Sequence, residues 1–184
     1  MNLGIASLEA ALRTDRPHQV LVMLANRVGE HCQIGRCIDD AIVYVDSAKA
    51  LRSDGLYFEQ GRRAPMHCTS TGKLFLAEMN DADLDWWLAH ADLPKLGPAT
   101  LTTPSALKTA IRRIRRDGWA TSSEELGAGV VGCAVPVRTA SGKLIAGLGL
   151  SAPSARQAPE QLIGFRGLMQ KAAAEIAAAV SDED

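Results

Sequence analysis

The segment that organises this sequence reads Gly61-Arg62-Arg63-Ala64-Pro65-Met66-His67-Cys68-Thr69-Ser70-Thr71-Gly72-Lys73. Here an extended, turn-rich stretch gives way to an apolar stretch of helical periodicity that begins near Leu74. Pro65 disfavours a helical conformation at Ala64, and the three hydroxyl side chains at positions 69–71 can cap the amides of a first helical turn. We therefore predict a helix over residues 69–79.

The first turn of this helix is also a candidate anion site. Its free amides, the positive end of the helix dipole and the small residues around Gly72 can together seat a carboxylate or a phosphate. Lys73 opposes the dipole, which is acceptable if its ammonium helps to hold an anion or extends into water. Capping hydroxyls are the commonest signal of a helix start, so an ordinary capped helix that binds only water is the simpler interpretation of this segment alone.

The same segment resembles a motif of a known protein family. It is similar to Gly-x-Arg-x-Pro-x-His-(small)-x-x-x-Gly-Lys in the effector-binding domain of IclR-type bacterial transcription regulators. Residues 115–126, Arg-Arg-Asp-Gly-Trp-Ala-Thr-Ser-Ser-Glu-Glu-Leu, resemble the family's Arg-x-x-Gly-Tyr-x-x-(Asp)-x-Glu-Glu block. Residues 133–137 follow where the family has Cys-Ile-Ala-x-Pro-Val, and residues 151–153 where it has Ser-Gly-Pro. The resemblance covers the chain from about Pro17 to Val180.

The resemblance implies an α+β fold, a GAF-like domain with a mainly antiparallel sheet of about five to six strands flanked by helices. Residues 17–184 would form the effector-binding domain, and residues 1–16 would be the remnant of a linker helix. In the family a winged helix-turn-helix DNA-binding domain precedes that helix, whereas here only Met1 and Asn2 do. A truncated chain and a natural stand-alone version both fit this expectation of an absent DNA-binding domain.

The resemblance also implies a ligand-binding site, built from hydroxyls, backbone amides and an apolar wall. Its polar members would be Ser70, Thr71, Gly72, Ser122, Cys133 and Ser151, and its wall would be Leu56, Ala64 and Val131. Amides and hydroxyls orient a carboxylate, while the wall sets the size of the remainder. Cys133 can equally be a small buried hydrophobe, and Ser151 can simply end its strand before Pro153. No catalytic residue, metal ligand or cofactor is implied.

Three departures from the family's pattern fall in this site. Ser122 stands where the family commonly has Asp, Gly149 stands where another serine is frequent, and the loop of residues 127–132 is one residue longer than usual. The longer loop leaves the assignments of Ser122 and Val131 open. Because Ser122 removes one acceptor and one negative charge, we expect a ligand with fewer hydrogen-bond donors, or with more acid groups, than those of related domains.

Periodicity and turn signals predict the order helix, three strands, three helices, two or three strands and a long closing helix. The predicted strands are residues 31–38, 41–46, 56–59, 131–138 and 143–151, the first two joined as a β-hairpin by Asp39-Asp40. A first helix ends near residue 15 and another runs from Pro17 towards Gly29. Later helices begin near residues 69, 80 and 105, and the last spans residues 159–180. Residues 121–132 are predicted to form a loop in which Glu124 and Glu125 are solvated.

Composition narrows the class of protein. The chain has 184 residues, of which 47% are hydrophobic and 22% charged, and this suits one globular domain with a sizeable core. A net charge of -1 argues against a chain that binds nucleic acid by itself, so the arginines at positions 112, 113, 115 and 116 are read as a solvated helix face. No apolar run or signal-peptide pattern indicates a membrane. The four cysteines form no disulfide framework, which favours reduced thiols and a cytoplasmic location.

Several local features have competing interpretations. Of the adjacent Trp86 and Trp87, we expect one in the core and the other at a subunit interface. His31, Cys32 and Cys37 do not match a recognised metal-ligand spacing and are read as strand residues.

The sequence as a whole predicts a binding module. It would take up a small carboxylate effector and shift a homo-oligomer, either a dimer or a tetramer, between DNA-binding and non-binding states. DNA contact would run through a separate winged helix-turn-helix domain. One alternative is a stand-alone oligomerisation module without a ligand. Another is a thiol-dependent hydrolase using Cys68 or Cys133 with His67, although adjacent residues in an extended segment point to opposite sides.

Overall fold

The computed structural model describes residues 3–51 and 56–181. In chain order its elements are α1 (Leu3–Leu12), α2 (Asp15–Val28), β1 (His31–Ile38), β2 (Ala41–Ala48), β3 (Arg63–Pro65), α3 (Ser70–Glu78), α4 (Asp81–His90), α5 (Pro104–Asp117), β4 (Ala120–Ser123), β5 (Val130–Arg138), β6 (Leu144–Pro153), a 3₁₀ helix (Pro159–Phe165) and α6 (Arg166–Ser181). The strands form one six-stranded sheet of order β3-β2-β1-β6-β5-β4, and every neighbouring pair is antiparallel. The predicted α+β fold with a mainly antiparallel sheet is confirmed. The predicted domain bounds include residues 1–2, 52–55 and 182–184, which lie outside the described residues.

The sheet has two faces, and helices cover both. Side chains alternate along a strand, so residues 31, 33 and 35 of β1 share one face with residues 147, 149 and 151 of β6. This is the α3 face, because Thr71 Cγ2 of α3 lies only 2.7 Å from where a Cβ on Gly147 would stand. The opposite face is the α6 face, where Leu148 and Leu150 pack in one core with Met169 of α6.

The start of α3 is capped as the sequence predicts. Thr69 is extended and its Oγ1 accepts a hydrogen bond from the Gly72 amide at 3.0 Å. The same hydroxyl donates to the Pro65 carbonyl at 3.0 Å, which ties the helix start to β3. A Cβ on Gly72 would stand 2.3 Å from the Met66 carbonyl oxygen, so a larger residue cannot replace this glycine without moving the backbone.

Three predictions of local structure were wrong. Residues 56–59 form no strand, because the Phe58 amide donates to His31 Nε2 at 3.3 Å instead of joining a ladder, and Arg63–Pro65 supplies the third strand. Polar residues 121–123, the start of the predicted loop, belong instead to the edge strand β4, which pairs with β5. The helix expected to begin near residue 105, with a cap at Ser105, is instead capped by Thr103, whose side chain accepts a hydrogen bond from the Ala106 amide. In each case a tertiary or local backbone partner outweighed the sequence pattern.

Other local predictions are confirmed. Asp39 and Asp40 join β1 to β2 with φ angles of 49° and 55°, as the tight hairpin requires. Trp87 is buried in the core, as expected for one of the pair, and Trp86 is 64% exposed; a place for Trp86 at a subunit interface stays a prediction. The four α5 arginines at positions 112, 113, 115 and 116 are exposed. Among the helices of the described residues, none has the length and apolar character needed to cross a membrane.

Candidate functional site

A row of small and polar residues crosses the α3 face of the sheet. The register pairs His31 with Ser151, Ser151 with Gly132, and Gly132 with Ser122, so these four positions line up across β1, β6, β5 and β4. A Cβ on Gly132 would stand 3.4 Å from Ser122 Oγ and 3.5 Å from Ser151 Oγ. Gly132 therefore lies between two hydroxyl groups that face the same side of the sheet, where a Cβ would also stand 2.9 Å from the Leu150 carbonyl oxygen.

Gln33 adds an amide group to this row. Its Nε2 donates to Ser151 Oγ at 2.9 Å and would lie 2.7 Å from a Cβ on Gly149, so the side chain lies over that glycine. Gln33 is only 2% exposed, yet its Oε1 has no hydrogen-bond partner in the described structure. A buried acceptor without a partner costs about 1 to 3 kcal/mol, so a hydrogen-bond donor placed against this oxygen would be stabilising.

The start of α3 lies against the same face. Thr71 is buried, and its Cγ2 stands 3.0 Å from where a Cβ on Gly35 would lie, besides its contact at Gly147. Gly35 and Gly147 are paired, and Gln33 and Gly149 form the next site-facing row, about 7 Å along the strands. The start of α3 therefore covers this face two residues along the strands from the Gln33 row, and the first-turn amides of Ser70 and Thr71 have no intrahelical partners there.

One end of the row is closed by a neutral histidine. His31 Nδ1 donates to the Ala48 carbonyl at 3.0 Å, and Nε2 accepts from the Phe58 amide. Burial lowers the pKa of His31 to about 4, so the ring is uncharged at neutral pH. Cys32 lies in the α6-face core, and no group of three His, Cys, Asp or Glu side chains within residues 3–51 and 56–181 is placed to hold a metal ion.

A buried ion pair joins α3 to the segment after β4. Lys73 Nζ lies 2.5 Å and 2.7 Å from the two carboxylate oxygens of Glu125, and the two residues are 2% and 8% exposed. Burial lowers the pKa of Lys73 and raises the pKa of Glu125, while their mutual attraction opposes both shifts. The prediction that Glu125 is solvated was therefore wrong. Lys73 does not extend into water either, and its charge is already matched.

A cleft of about 610 Å³ lies along α5. Exposed Arg113 and Arg116 line it, and both bond to Asp117. Two buried polar atoms have no partner in the described residues, Gln33 Oε1 and Ser47 Oγ, and neither residue lines this cleft. Gln33 lies on the α3 face instead. The α3 face is therefore the stronger candidate for a ligand site.

Comparison with known proteins identifies the family. The family model "Bacterial transcriptional regulator IclR C-terminal" matches residues 12–178. The chain belongs to this IclR family. It is 33% identical over 152 residues to the transcriptional regulator XynR of Escherichia coli K12, an overlap of 83% of this chain and 60% of XynR. The chain thus spans about three fifths of that relative's length.

Solved structures of this IclR-type domain have the same fold. A transcriptional regulator from Rhodococcus sp. RHA1 superposes with a TM-score of 0.88 at 30% identity, covering 99% of this chain and 75% of the other. The inducer-binding domain of PobR from Acinetobacter, solved as a double mutant in complex with 3-hydroxybenzoic acid, superposes with a TM-score of 0.81 at 27% identity. That match covers 89% of this chain and 96% of the PobR domain.

The structure corrects two site positions carried over from the IclR resemblance. Cys133 and Val131 point to the α6 face, where Cys133 Sγ lies 3.5 Å from Met169 Sδ. The family's block places Pro four residues after Cys, whereas Pro136 follows Cys133 by three. When Pro136 is aligned with the family's proline, Gly132 and Val130 take the positions first given to Cys133 and Val131. Val130 packs against the core that contains Phe58 and Ala64, on the α3 face. A shift of one residue along a strand reverses the face of a side chain.

The remaining predicted positions share the α3 face of this IclR-type domain. Ser70, Thr71 and Gly72 are buried at the helix start, and Ser122 and Ser151 lie in the polar row. Ala64 is buried in a core with Phe58, and half-buried Leu56 packs against that core. Sequence reasoning missed Gln33 because only the pairing of β1 with β6 brings it to Ser151, 118 residues away.

The buried thiols lack the environment of a catalytic nucleophile. Burial raises the pKa values of Cys68 and Cys133 to about 12 each, so neither forms a thiolate at neutral pH. His67 Nε2 donates to the Pro94 carbonyl at 3.1 Å. The named relatives, moreover, are transcriptional regulators rather than enzymes.

Proposed function

We propose that this domain binds a small organic acid on the α3 face, with the carboxylate at the first turn of α3. The observation that carries the proposal is the polar row of half-buried Ser122 with buried Ser151 and Gln33, which lies on the sheet face covered by the capped start of α3 and keeps an unpartnered acceptor. A double mutant of the inducer-binding domain of PobR, a structural relative, forms a complex with 3-hydroxybenzoic acid. Together these observations support a small organic acid as the effector of this chain.

The chemistry of the site favours an anion without needing a free cation. A buried carboxylate must recover its lost hydration through hydrogen bonds. Amides at the α3 start supply those donors, and the helix dipole favours negative charge there. The hydroxyls of Ser122 and Ser151 lie farther along the strands and can pair with polar groups on the rest of the acid. Lys73 is held by Glu125 and so stabilises the helix start indirectly.

We further propose that acid binding shifts a homodimer or homotetramer between DNA-binding and non-binding states. DNA contact would run through a separate winged helix-turn-helix domain. Lys73 near the start of α3 bonds to Glu125, and Ser122 precedes Glu125 by three residues. A ligand that contacts both the start of α3 and Ser122 can therefore shift the segment between Ser122 and Glu125. α1 contacts α6 and would carry the change out of the domain. Coupling of about 1 to 3 kcal/mol is enough for such regulation.

A thermal-shift screen against mono-, di- and aromatic carboxylates tests the proposal. At a hundredfold excess over its Kd a ligand adds about 2.7 kcal/mol, which should raise Tm by roughly 5 to 11 °C for a domain of this size. Ser70→Arg, which fills the helix start, should abolish the shift. Thr102→Arg, a matched change at an exposed loop position, should retain it.

Two results would overturn the acid-effector proposal. One is the absence of a shift with every acid. The other is an equal shift in Ser70→Arg and in the parent. If the protein associates in solution while no acid binds, the oligomerisation alternative takes its place.

A further inference from the structure

We infer that Gln33 recognises a hydroxyl group of the effector, so that the site selects small carboxylic acids that also carry a hydroxyl. The inference rests on the proposed function and names the substrate class of the same site. Its physical basis is a buried acceptor that is held in place and has no partner.

The buried polar atoms of the described chain show that this acceptor is unusual. Among those side-chain nitrogen and oxygen atoms, Gln33 Oε1 and Ser47 Oγ have no hydrogen-bond partner. The two residues are cross-strand neighbours, but Ser47 lies on β2 whereas the Gln33 amide extends the other way, over β6. Native proteins pair nearly all such atoms, so Oε1 calls for a donor that the chain itself does not supply.

Gln33 Oε1 is held in one position. The other end of the planar amide is fixed by its hydrogen bond to Ser151 Oγ, and the side chain lies in the space left by Gly149. The neighbouring His31 has both ring nitrogens engaged and cannot supply the missing donor. An acceptor that is already ordered loses little entropy when it binds a ligand.

The chemistry of the acceptor determines what it recognises. An amide oxygen only accepts hydrogen bonds, so it cannot pair with an ionised carboxylate, which also only accepts. The carboxylate belongs at the α3 start, about 7 Å along the strands from the Gln33 row. A neutral hydroxyl on the same small molecule can then donate to Oε1. Gln33 thus supplies an uncharged acceptor to a site whose Ser122 offers no carboxylate.

Isothermal titration with acids that differ by one hydroxyl tests the inference. The probes are benzoate against 3- and 4-hydroxybenzoate, and propionate against lactate and 3-hydroxypropionate. In the parent, one hydroxylated acid should bind about tenfold or more tightly than its counterpart, because a site built to pair a hydroxyl discriminates against its absence. Gln33→Met, similar in length but without the acceptor, should reduce the ratio to about twofold or less.

Two further variants separate recognition from folding. Ser47→Ala removes the other unpartnered atom, away from Ser151, and should keep the parent's ratio. Gly149→Ala keeps Gln33 but places a Cβ 2.7 Å from its Nε2, which displaces the amide and should also abolish the preference. Gly149→Ala therefore carries the test if Gln33→Met fails to fold.

The outcomes distinguish this inference from the proposed function. If acids bind the parent equally with and without a hydroxyl, or if Gln33→Met and Gly149→Ala keep the preference, the role of Gln33 is refuted and acid sensing stands. If no acid binds the parent at all, the acid-effector proposal fails and this inference fails with it.

Discussion

Lys73→Met should destabilise the domain by about 3 to 5 kcal/mol, because it removes one partner of a buried ion pair and leaves the other charge uncompensated. Lys73 and Glu125 are 2% and 8% exposed and 2.5 Å apart, so little water can screen the carboxylate that remains. For a domain of this size the loss corresponds to a fall in Tm of roughly 6 to 20 °C. Urea denaturation followed by tryptophan fluorescence measures it.

The loss should also depend on pH. Burial already holds the pKa of Glu125 above its ordinary value, and without Lys73 that pKa rises further. A carboxyl whose pKa is higher in the folded state contributes least to stability at pH values above that folded pKa, where it must ionise in the interior. The variant should therefore lose stability, relative to the parent, as the pH rises from 5 to 8.

Two controls make this prediction specific. Lys73→Met combined with Glu125→Leu removes both charges and should return to within about 2 kcal/mol of the parent. Lys108→Met breaks the exposed Lys108–Asp85 pair and should cost about 0 to 1 kcal/mol. If Lys73→Met costs no more than Lys108→Met, the argument that Glu125 is a buried charge held by Lys73 is refuted.

Two further predictions follow from buried titrating groups. NMR titration should show a midpoint near pH 4 for His31, because the ring is buried in its neutral form. The folded state should accordingly lose about 3 kcal/mol of stability as the pH falls from 6.5 through 4. A midpoint near pH 6.5 would contradict this. Iodoacetamide at neutral pH should alkylate half-buried Cys37 before Cys68 and Cys133, whose pKa values burial raises to about 12. Fast labelling of Cys68, read by mass spectrometry, would revive the hydrolase alternative.

Local chemistry made much of the fold predictable. The start of α3 follows from a hydroxyl at Thr69, whose cap partner Gly72 is only three residues away. The β1–β2 hairpin follows from two residues that tolerate positive φ. Helical spacing shows that adjacent Trp86 and Trp87 cannot both face the core, while the fold decides that Trp87 is the buried one. The resemblance to the IclR family then implied the α+β fold with a mainly antiparallel sheet and most positions of the candidate site.

Sheet register decided which of those positions face the ligand site. Alternation along β5 is strict, so a shift of one residue moved the site positions from Cys133 and Val131 to Gly132 and Val130. The sequence shows the alternation but not its phase. The phase depends on which residues of β4 and β6 lie opposite.

Long-range contacts decided the electrostatics of the site. Glu125 looks solvated in a polar loop, and Lys73 looks free at a helix start, until the fold brings them together from 52 residues apart. Gln33 likewise acquires its role only when β6 pairs with β1 and Gly149 leaves room for its amide. Caps, turns and helix faces were readable from the chain because their partners are neighbours in sequence. Burial, charge pairing and unpartnered acceptors were not, because they depend on distant segments that meet only in the folded domain.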